Sequence, residues 1–261
     1  MGNCLCGPVG YIIIHNESVD RFIRYIVKNL EVLLLNKKKA IIFDVDGTLV
    51  DRKAAFVRFC NYLIDRYSEN NPYQGTREAL IDYMIEIDEN GYAGLANFIP
   101  RLSKRWKLAL GTAEFVKERN EVFGKMTIPY PELNEVLKEL RGRYKLGIIT
   151  NGYSSVQRDK IDRACIKDYF DDIIVSGEQD FAKPDSRIFL LSCKHLGITP
   201  AEAYYVGDYY PNDIAGALGA GITPIWINED GTEHPEYDGI RVNRLRDILE
   251  ILLTEESAFT D

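Results

Sequence analysis

Two aspartates follow an apolar run near residue 40, and their spacing is the first sign of chemistry in this chain. The segment AIIFDVDGTLVD spans residues 40–51 and places Asp44 and Asp46 directly after the apolar residues 41–43. Carboxylates two positions apart on an extended chain point the same way, and both burial and mutual repulsion disfavour their charged forms. A sequence that keeps both is expected to hold a cation or to use the pair in a reaction.

Polar residues also follow later apolar runs that read as strands. YKLGIIT ends at Thr150, DIIVSG is followed by AKPD, and AYYVGD leads into YYPND. In an open parallel α/β sheet, ligands bind beyond the carboxyl ends of the strands, so these groups should converge although they are distant in sequence. The candidate positions are Thr150 with Asn151, Lys183, and Asp208 with Asp213.

The elements that must position these groups alternate between strand and helix from residue 129 onward. This alternation predicts an α/β fold with a parallel sheet covered on both faces by helices. Residues 52–128 have helical periodicity without such alternation, which predicts a helical insertion after the first strand. The predicted catalytic core therefore comprises 39–51 and 129–253, preceded by an extension over 1–38 with an amphipathic helix and followed by a tail over 254–261.

The residue types at the four strand ends suit phosphoryl transfer, which needs positioning and charge neutralisation. Asp44 can act as a carboxylate nucleophile, and Asp46 can protonate the leaving oxygen and then activate water. Asp44, Asp208 and the backbone carbonyl of Asp46 offer hard oxygen ligands for Mg²⁺, which would also let the carboxylates coexist. Lys183 supplies positive charge for the phosphate and for the aspartates. The phosphate site is predicted at Thr150 and Asn151 with nearby backbone N–H groups.

As an ordered set, DVDGT, the Thr of IITNG, the Lys of AKPD and GDYYPND resemble the motifs of the haloacid dehalogenase superfamily, in its phosphatase branch. The resemblance covers about residues 39–253. It implies a Rossmann-like core with strand order 5-4-1-2-3, a helical cap inserted after the first motif, and Mg²⁺ as cofactor. Position by position, it implies that Asp44 is the nucleophile and Asp46 the general acid/base. It also implies that Thr150 and Lys183 bind the phosphate, that Asp208 is a metal ligand, and that Asp213 is a supporting acid.

These features predict a phosphatase acting on a small phosphomonoester such as a sugar phosphate, a nucleoside monophosphate or phosphoglycolate. One alternative is a phosphomutase of the same superfamily, which would share every motif. A haloacid dehalogenase is disfavoured because that branch typically lacks the second aspartate, whereas this chain has Asp46. A non-catalytic binding protein on the same fold is the remaining alternative, and the intact motifs argue against it.

Charge and composition narrow the partners. The formal net charge is −8, and this acidic balance argues against a nucleic-acid partner. The five cysteines, of which the last three are scattered, form neither a disulfide framework nor a zinc site, which favours the cytoplasm. No apolar run approaches the ~20 residues of a membrane span. The opening MGNCLC has Cys where the myristoylation pattern has Ser or Thr, so membrane attachment is not expected; oligomeric state stays open.

Residues near the first motif and inside the last motif have two interpretations each. Arg52, Lys53 and Arg58 fall early in the insertion, and a solvated helical face is favoured over substrate contact. Tyr209 and Tyr210 lie inside the last motif, where they line an entrance or pack the loop.

Overall fold

The computed structural model describes residues 37–69, 72–108 and 110–257, with side chains as far as Leu252. The amphipathic helix predicted within residues 1–38 lies outside these residues. No helix in the described ranges is long and apolar enough to cross a membrane.

Six parallel strands form one sheet in the described part of the chain. In chain order they are β1 Ala40–Phe43, β2 Lys145–Thr150, β3 Asp172–Val175, β4 Ala203–Gly207, β5 Thr223–Ile227 and β6 Ile240–Val242. Across the sheet they run β3-β2-β1-β4-β5-β6, which confirms the expected order and adds β6 beside β5. The short strand β1 is central and fully buried, as a parallel strand covered on both faces must be.

Four α-helices lie in the described part of residues 52–128, where the sequence predicts an insertion. They are α1 Arg52–Tyr67, α2 Arg77–Asp88, α3 Leu95–Arg105 and α4 Thr112–Val122. Asp51 caps α1, because its Oδ1 accepts a hydrogen bond from the Ala54 N–H at 2.8 Å. These helices and their connections, residues 52–128, are called the helical insert below. Five aromatic residues fill its interior: Phe56, Phe59, Phe98, Phe115 and Phe123.

The remaining helices are α5 Leu133–Arg141, α6 Ser154–Arg163, α7 Ser186–Leu196, α8 Ala215–Gly219 and α9 Ile248–Ser257. Successive residues of β1 point to opposite faces of the sheet. Accordingly, Ile41 and Phe43 pack in one cluster with α5 and the start of α9, whereas Ala40 and Ile42 pack in another with α7 and α8. Because α9 continues to Ser257, the first residues of the predicted tail are helical.

The chain leaves the sheet and returns to it at neighbouring points. The Asp51 N–H donates to the Ile128 carbonyl at 2.8 Å, and Val50 forms an antiparallel bridge with Pro129. These two contacts bracket the helices α1–α4. The division into a catalytic core and a cap stays a prediction.

Candidate active site

Asp44 sits at the carboxyl end of the central strand. Phe43 is in register with Ile148 of β2 and Val206 of β4, and the Asp44 N–H continues the ladder by donating to the Val206 carbonyl at 2.9 Å. The residue is only 5% exposed. The sheet therefore holds the chain from both sides at Phe43, and β4 binds the backbone of Asp44.

Lys183 joins two of the predicted aspartates. Its buried Nζ donates to Asp44 Oδ1 at 2.6 Å, to Asp213 Oδ1 at 2.7 Å and to the Tyr205 hydroxyl at 2.8 Å. An ammonium group has three donors, so all are used. Burial opposes the charge, but Asp213 and Asp44 outweigh it and raise the pKa of Lys183. Tyr205, which the sequence analysis missed because it reads as an ordinary strand residue, is part of this network.

Three carboxylates converge beside Lys183. Asp44, Asp208 and Asp213 each offer an oxygen, and these atoms lie within 4.8 Å of one another. Burial, followed by repulsion from the neighbouring acids, raises the pKa of Asp208 well above its usual range. Burial likewise raises the pKa of Asp44 to about 7, against the opposing effect of Lys183. Crowded, buried carboxylates of this kind are stabilised by a cation.

The oxygen atoms at this cluster fit Mg²⁺. Asp208 Oδ1 is buried and has no hydrogen-bond partner among the described residues, which is an oxygen available to a cation. Asp213 differs, because Oδ1 accepts from Lys183 and Oδ2 accepts from the Tyr209 N–H at 3.0 Å. This occupancy favours a supporting role for Asp213, as the sequence suggests, and a direct role for Asp208 with Asp44.

Gly47 makes room for the acid cluster. Its φ of +79° lies in the left-handed region, and a Cβ there would stand 2.2 Å from Asp208 Oδ2. The glycine of the DVDGT segment is therefore required both by the turn and by the approach of Asp208.

The Asp46 side chain points away from this cluster. Its Oδ2 accepts from Lys160 Nζ at 2.5 Å and from Gln157 Nε2 at 3.0 Å, both on α6. Burial acts to raise the pKa of Asp46, but Lys160 and Arg52 outweigh it and hold the pKa below its usual range. The expectation that one cation lets Asp44 and Asp46 coexist is thus incomplete, because each has its own lysine. The predicted metal contact through the Asp46 backbone carbonyl stays a prediction.

Lys160 and Gln157 were missed by sequence reasoning, although a signal existed. Both are buried, and Lys160 lies four positions after the buried Val156 on the same helix. A lysine on the apolar face of a helix needs a buried partner. Here that partner is Asp46.

Thr150 ends β2 and Asn151 follows it; both line the cavity, but their side chains have different surroundings. Thr150 is buried and lines the cavity. The Asn151 side chain instead clamps the backbone of Lys183: Nδ2 donates to its carbonyl at 2.9 Å and Oδ1 accepts from its N–H at 3.0 Å. Asn151 therefore positions Lys183, and its predicted phosphate contact would have to come from its backbone.

A cavity of about 330 Å³ lies between the sheet edge and the helical insert. The sheet side contributes Asp44, Asp46, Thr150, Lys160 and Lys183, and the insert side contributes Arg52, Asp88, Asn90, Tyr92 and Arg119. A volume near the lower end of the range for small-molecule sites suits a small metabolite.

Arg52 corrects one prediction. It is only 7% exposed and pairs with Asp88 Oδ2 at 2.7 Å, so it does not form part of a solvated face. Lys53 and Arg58 are exposed, as expected.

Tyr209 lies where the insert meets the last motif. Its ring stacks on that of Tyr92, with centroids 3.5 Å apart and planes inclined by 14°. Tyr210 faces another way and stacks on His234, with centroids 3.7 Å apart. Tyr209 therefore packs against the cavity wall, and Tyr210 packs against the segment between β5 and β6.

Comparisons with known proteins agree on one family. The model described as "Haloacid dehalogenase-like hydrolase" matches residues 41–227. A glyceraldehyde 3-phosphate phosphatase of Methanothermobacter thermautotrophicus is 31% identical over 229 residues, which is 82% of this chain and 97% of that protein. An N-acylneuraminate-9-phosphatase of Rattus norvegicus is 30% identical over 212 residues, covering 76% and 85%.

A solved structure shares the fold. The magnesium-bound HAD-hydrolase YfnB of Bacillus subtilis superposes with a TM-score of 0.70 at 21% identity, covering 83% of this chain and 99% of that one. At this identity the likeness extends to the fold alone.

Proposed function

The chain belongs to the haloacid dehalogenase-like hydrolases and is a phosphatase of that family, and we propose that it hydrolyses a small phosphomonoester through a phosphorylated Asp44. One observation carries the proposal. Lys183 bonds both Asp44 and Asp213 at the edge of the sheet, Asp208 completes the acid cluster, and this edge opens into the cavity.

In the first step Asp44 attacks the phosphorus atom and the bond to the leaving oxygen breaks. Lys183 holds one oxygen of Asp44, which orients the carboxylate and supplies positive charge beside the phosphoryl group. Thr150, buried at the end of β2, supports a phosphoryl oxygen through its hydroxyl. The covalent ester divides one difficult hydrolysis into two easier steps.

Asp46 moves the proton in both steps. Lys160 and Gln157 occupy its Oδ2, which leaves the buried and unpartnered Oδ1 for the proton. An arriving phosphate brings negative charge, which raises the pKa of Asp46 and favours the protonated form that serves the leaving alcohol. Once the alcohol has left, Asp46 returns to the carboxylate that removes a proton from the attacking water.

Mg²⁺, held by Asp44 and Asp208 with support from Asp213, would neutralise phosphoryl charge and orient the phosphate for attack. The helical insert acts as the cap over the cavity and contacts the leaving group. Relatives named for a triose phosphate and an acyl sugar-acid phosphate support a small soluble substrate.

The test is phosphate release from a panel of phosphorylated metabolites by the full chain, with Mg²⁺ and after chelation. We expect hydrolysis of at least one small phosphomonoester with Mg²⁺ and none after chelation. Asp44→Asn should lower kcat by at least ~10⁴-fold, because the amide cannot form the ester. Asp168→Asn, which removes an exposed carboxylate from the turn at 167–169, is the matched control and should keep full activity.

Two results would contradict the proposal: undiminished turnover by the Asp44→Asn protein, or full activity without divalent metal. Incubation with a hexose 1-phosphate separates the rival activity, because a phosphomutase would give the hexose 6-phosphate instead of inorganic phosphate.

A further inference from the structure

Arg119 stands out among the cations that line the cavity. Lys160 pairs with Asp46, Arg52 pairs with Asp88, and Lys183 pairs with two aspartates. Arg119 has no carboxylate within ion-pair distance among the residues that the structure describes. The cavity thus contains one guanidinium whose charge no protein carboxylate neutralises at close range.

The local contacts of Arg119 leave its guanidinium available. Its Nη1 reaches the neighbouring Asn120 Oδ1 at the long distance of 3.4 Å, and its guanidinium lies 4.8 Å from the centre of the Phe123 ring. Burial, followed by repulsion from Arg52, lowers the pKa of Arg119. A partly buried arginine in this state is stabilised by an anion, and its planar fork fits a carboxylate or a phosphate in a bidentate manner.

The position of Arg119 indicates which part of a substrate it would meet. It lies on α4 of the helical insert, whereas the nucleophile and Lys183 lie at the sheet edge. A phosphoryl group at Asp44 is bound from the sheet side, so the insert side faces the leaving alcohol.

We propose that Arg119 binds a second anionic group on the leaving alcohol, so that this phosphatase selects phosphomonoesters of acidic metabolites. The inference rests on the proposed function, because it takes the phosphate to bind at Asp44. A carboxylate and a second phosphate share the chemistry that Arg119 recognises.

The experiment compares substrates that differ in that anion. Phosphoglycolate is paired with 2-hydroxyethyl phosphate, 3-phosphoglycerate with glycerol 3-phosphate, and fructose 1,6-bisphosphate with fructose 6-phosphate. The full chain with Mg²⁺ should prefer the acidic member of at least one pair by about 10-fold in kcat/KM. The first two pairs test a carboxylate, and the third tests a phosphate.

Variants assign the preference to Arg119. Arg119→Gln should reduce the ratio of acidic to neutral kcat/KM to about 1, mainly through KM for the acidic member. Arg119→Lys should retain part of the preference, because the charge stays but the fork is lost. Lys117→Gln removes the same charge from an exposed position on α4 and should keep the wild-type ratio.

A binding measurement removes the dependence on turnover. In the inactive Asp44→Asn protein, adding Arg119→Gln should weaken calorimetric binding of the preferred acidic substrate by about 10-fold. An active wild-type enzyme without preference in any pair overturns this inference and leaves the phosphatase standing, whereas a chain inactive on every substrate overturns the phosphatase itself. An unchanged ratio in Arg119→Gln also overturns it, and if that variant does not fold, the ratios of the wild-type protein and Arg119→Lys decide.

Discussion

The sheet edge and the helical insert both place charged side chains on the cavity, but they balance charge differently. At the sheet edge Asp44, Asp208 and Asp213 crowd around Lys183, and burial with mutual repulsion raises the pKa of Asp44 to about 7. In the insert Arg52 is matched by Asp88, so that pair is neutral. An excess of buried like charge lowers the stability of the fold, so it is typical of sites that bind a cation or carry out a reaction. A neutral ion pair instead has a structural role in the cavity wall.

Of the cations that line the cavity, Lys183 at the sheet edge should cause the largest loss of activity and stability when it is removed. Lys183→Met leaves Asp44 and Asp213 buried without a counter-charge, so we expect kcat to fall by about 10³-fold, as on loss of a preorganised electrostatic group. The free energy of unfolding should fall by about 3–5 kcal/mol, the usual cost of removing one partner of a buried ion pair.

The direction in which the stability of Lys183→Met changes with pH shows whether the buried acids cause the loss. Buried acids without a lysine have folded-state pKa values above those of the unfolded chain, so the folded state binds the extra proton. The metal-free Lys183→Met protein should therefore regain stability as pH falls from 8 to 6 in urea unfolding. Lys194→Met, an exposed lysine on α7, is the control. A Lys183→Met protein as stable and active as wild type would mean that the two regions do not differ as described.

Lys160 offers a finer test, because among the acids proposed to be catalytic it contacts Asp46 alone. Lys160→Gln keeps a hydrogen-bond donor but removes the charge that holds the pKa of Asp46 down. The pKa of Asp46 should rise, so the acidic limb of the kcat profile should move to higher pH, and kcat at neutral pH should fall by about 10-fold.

The full pH profile of kcat is the measurement, with Lys167→Gln, exposed on the 167–169 turn, as control. An acidic limb that stays in place while activity falls would assign Lys160 a purely structural role.

The smallest effect on activity is expected at the ion pair between Arg52 and Asp88 of the insert. Arg52→Gln leaves Asp88 without its partner and should cost about 3 kcal/mol of unfolding free energy, the lower end for a buried ion pair, while kcat changes by less than about 5-fold. Asp88→Asn should cost a similar amount, and the double variant should recover part of the loss because no uncompensated charge remains. Urea unfolding of the cycle, with the exposed Lys53→Gln as control, measures this. Additive losses would show that the two side chains do not depend on one another.

The fold was largely predictable because its signals are local. Apolar runs ending in Asp44, Thr150 and Asp208 mark strands whose carboxyl ends must share one edge in a parallel sheet. A short strand was also predictable just before the last helix, where β6 lies. Its place beside β5 follows from pairing across the sheet, which a single sequence does not encode locally.

The positions of site residues at the strand ends were predictable. The contacts that their side chains make with residues distant in sequence were less predictable. Asp44 and Lys183 meet as expected. Asn151 instead binds the Lys183 backbone, and Arg52 turns inward because Asp88 offers a buried partner. Lys160 and Arg119 lie on helices of different regions, and only the packing of those helices brings them to one cavity. The spacing of residues along the chain does not predict such long-range contacts.

The adjoining ends of the helical insert have a consequence for how such proteins can be rebuilt. The polypeptide departs at Asp51 and comes back at Ile128, and a backbone hydrogen bond of 2.8 Å already joins these points. The conformational entropy cost of closing a loop grows only slowly with loop length, so the length of a segment between two joined ends can change at a small cost in free energy. We therefore expect that a segment of different length can be spliced between the same two residues while β1, the strand before Asp44, keeps its place, provided that the new segment covers Val156 of α6, which packs in the core of the insert.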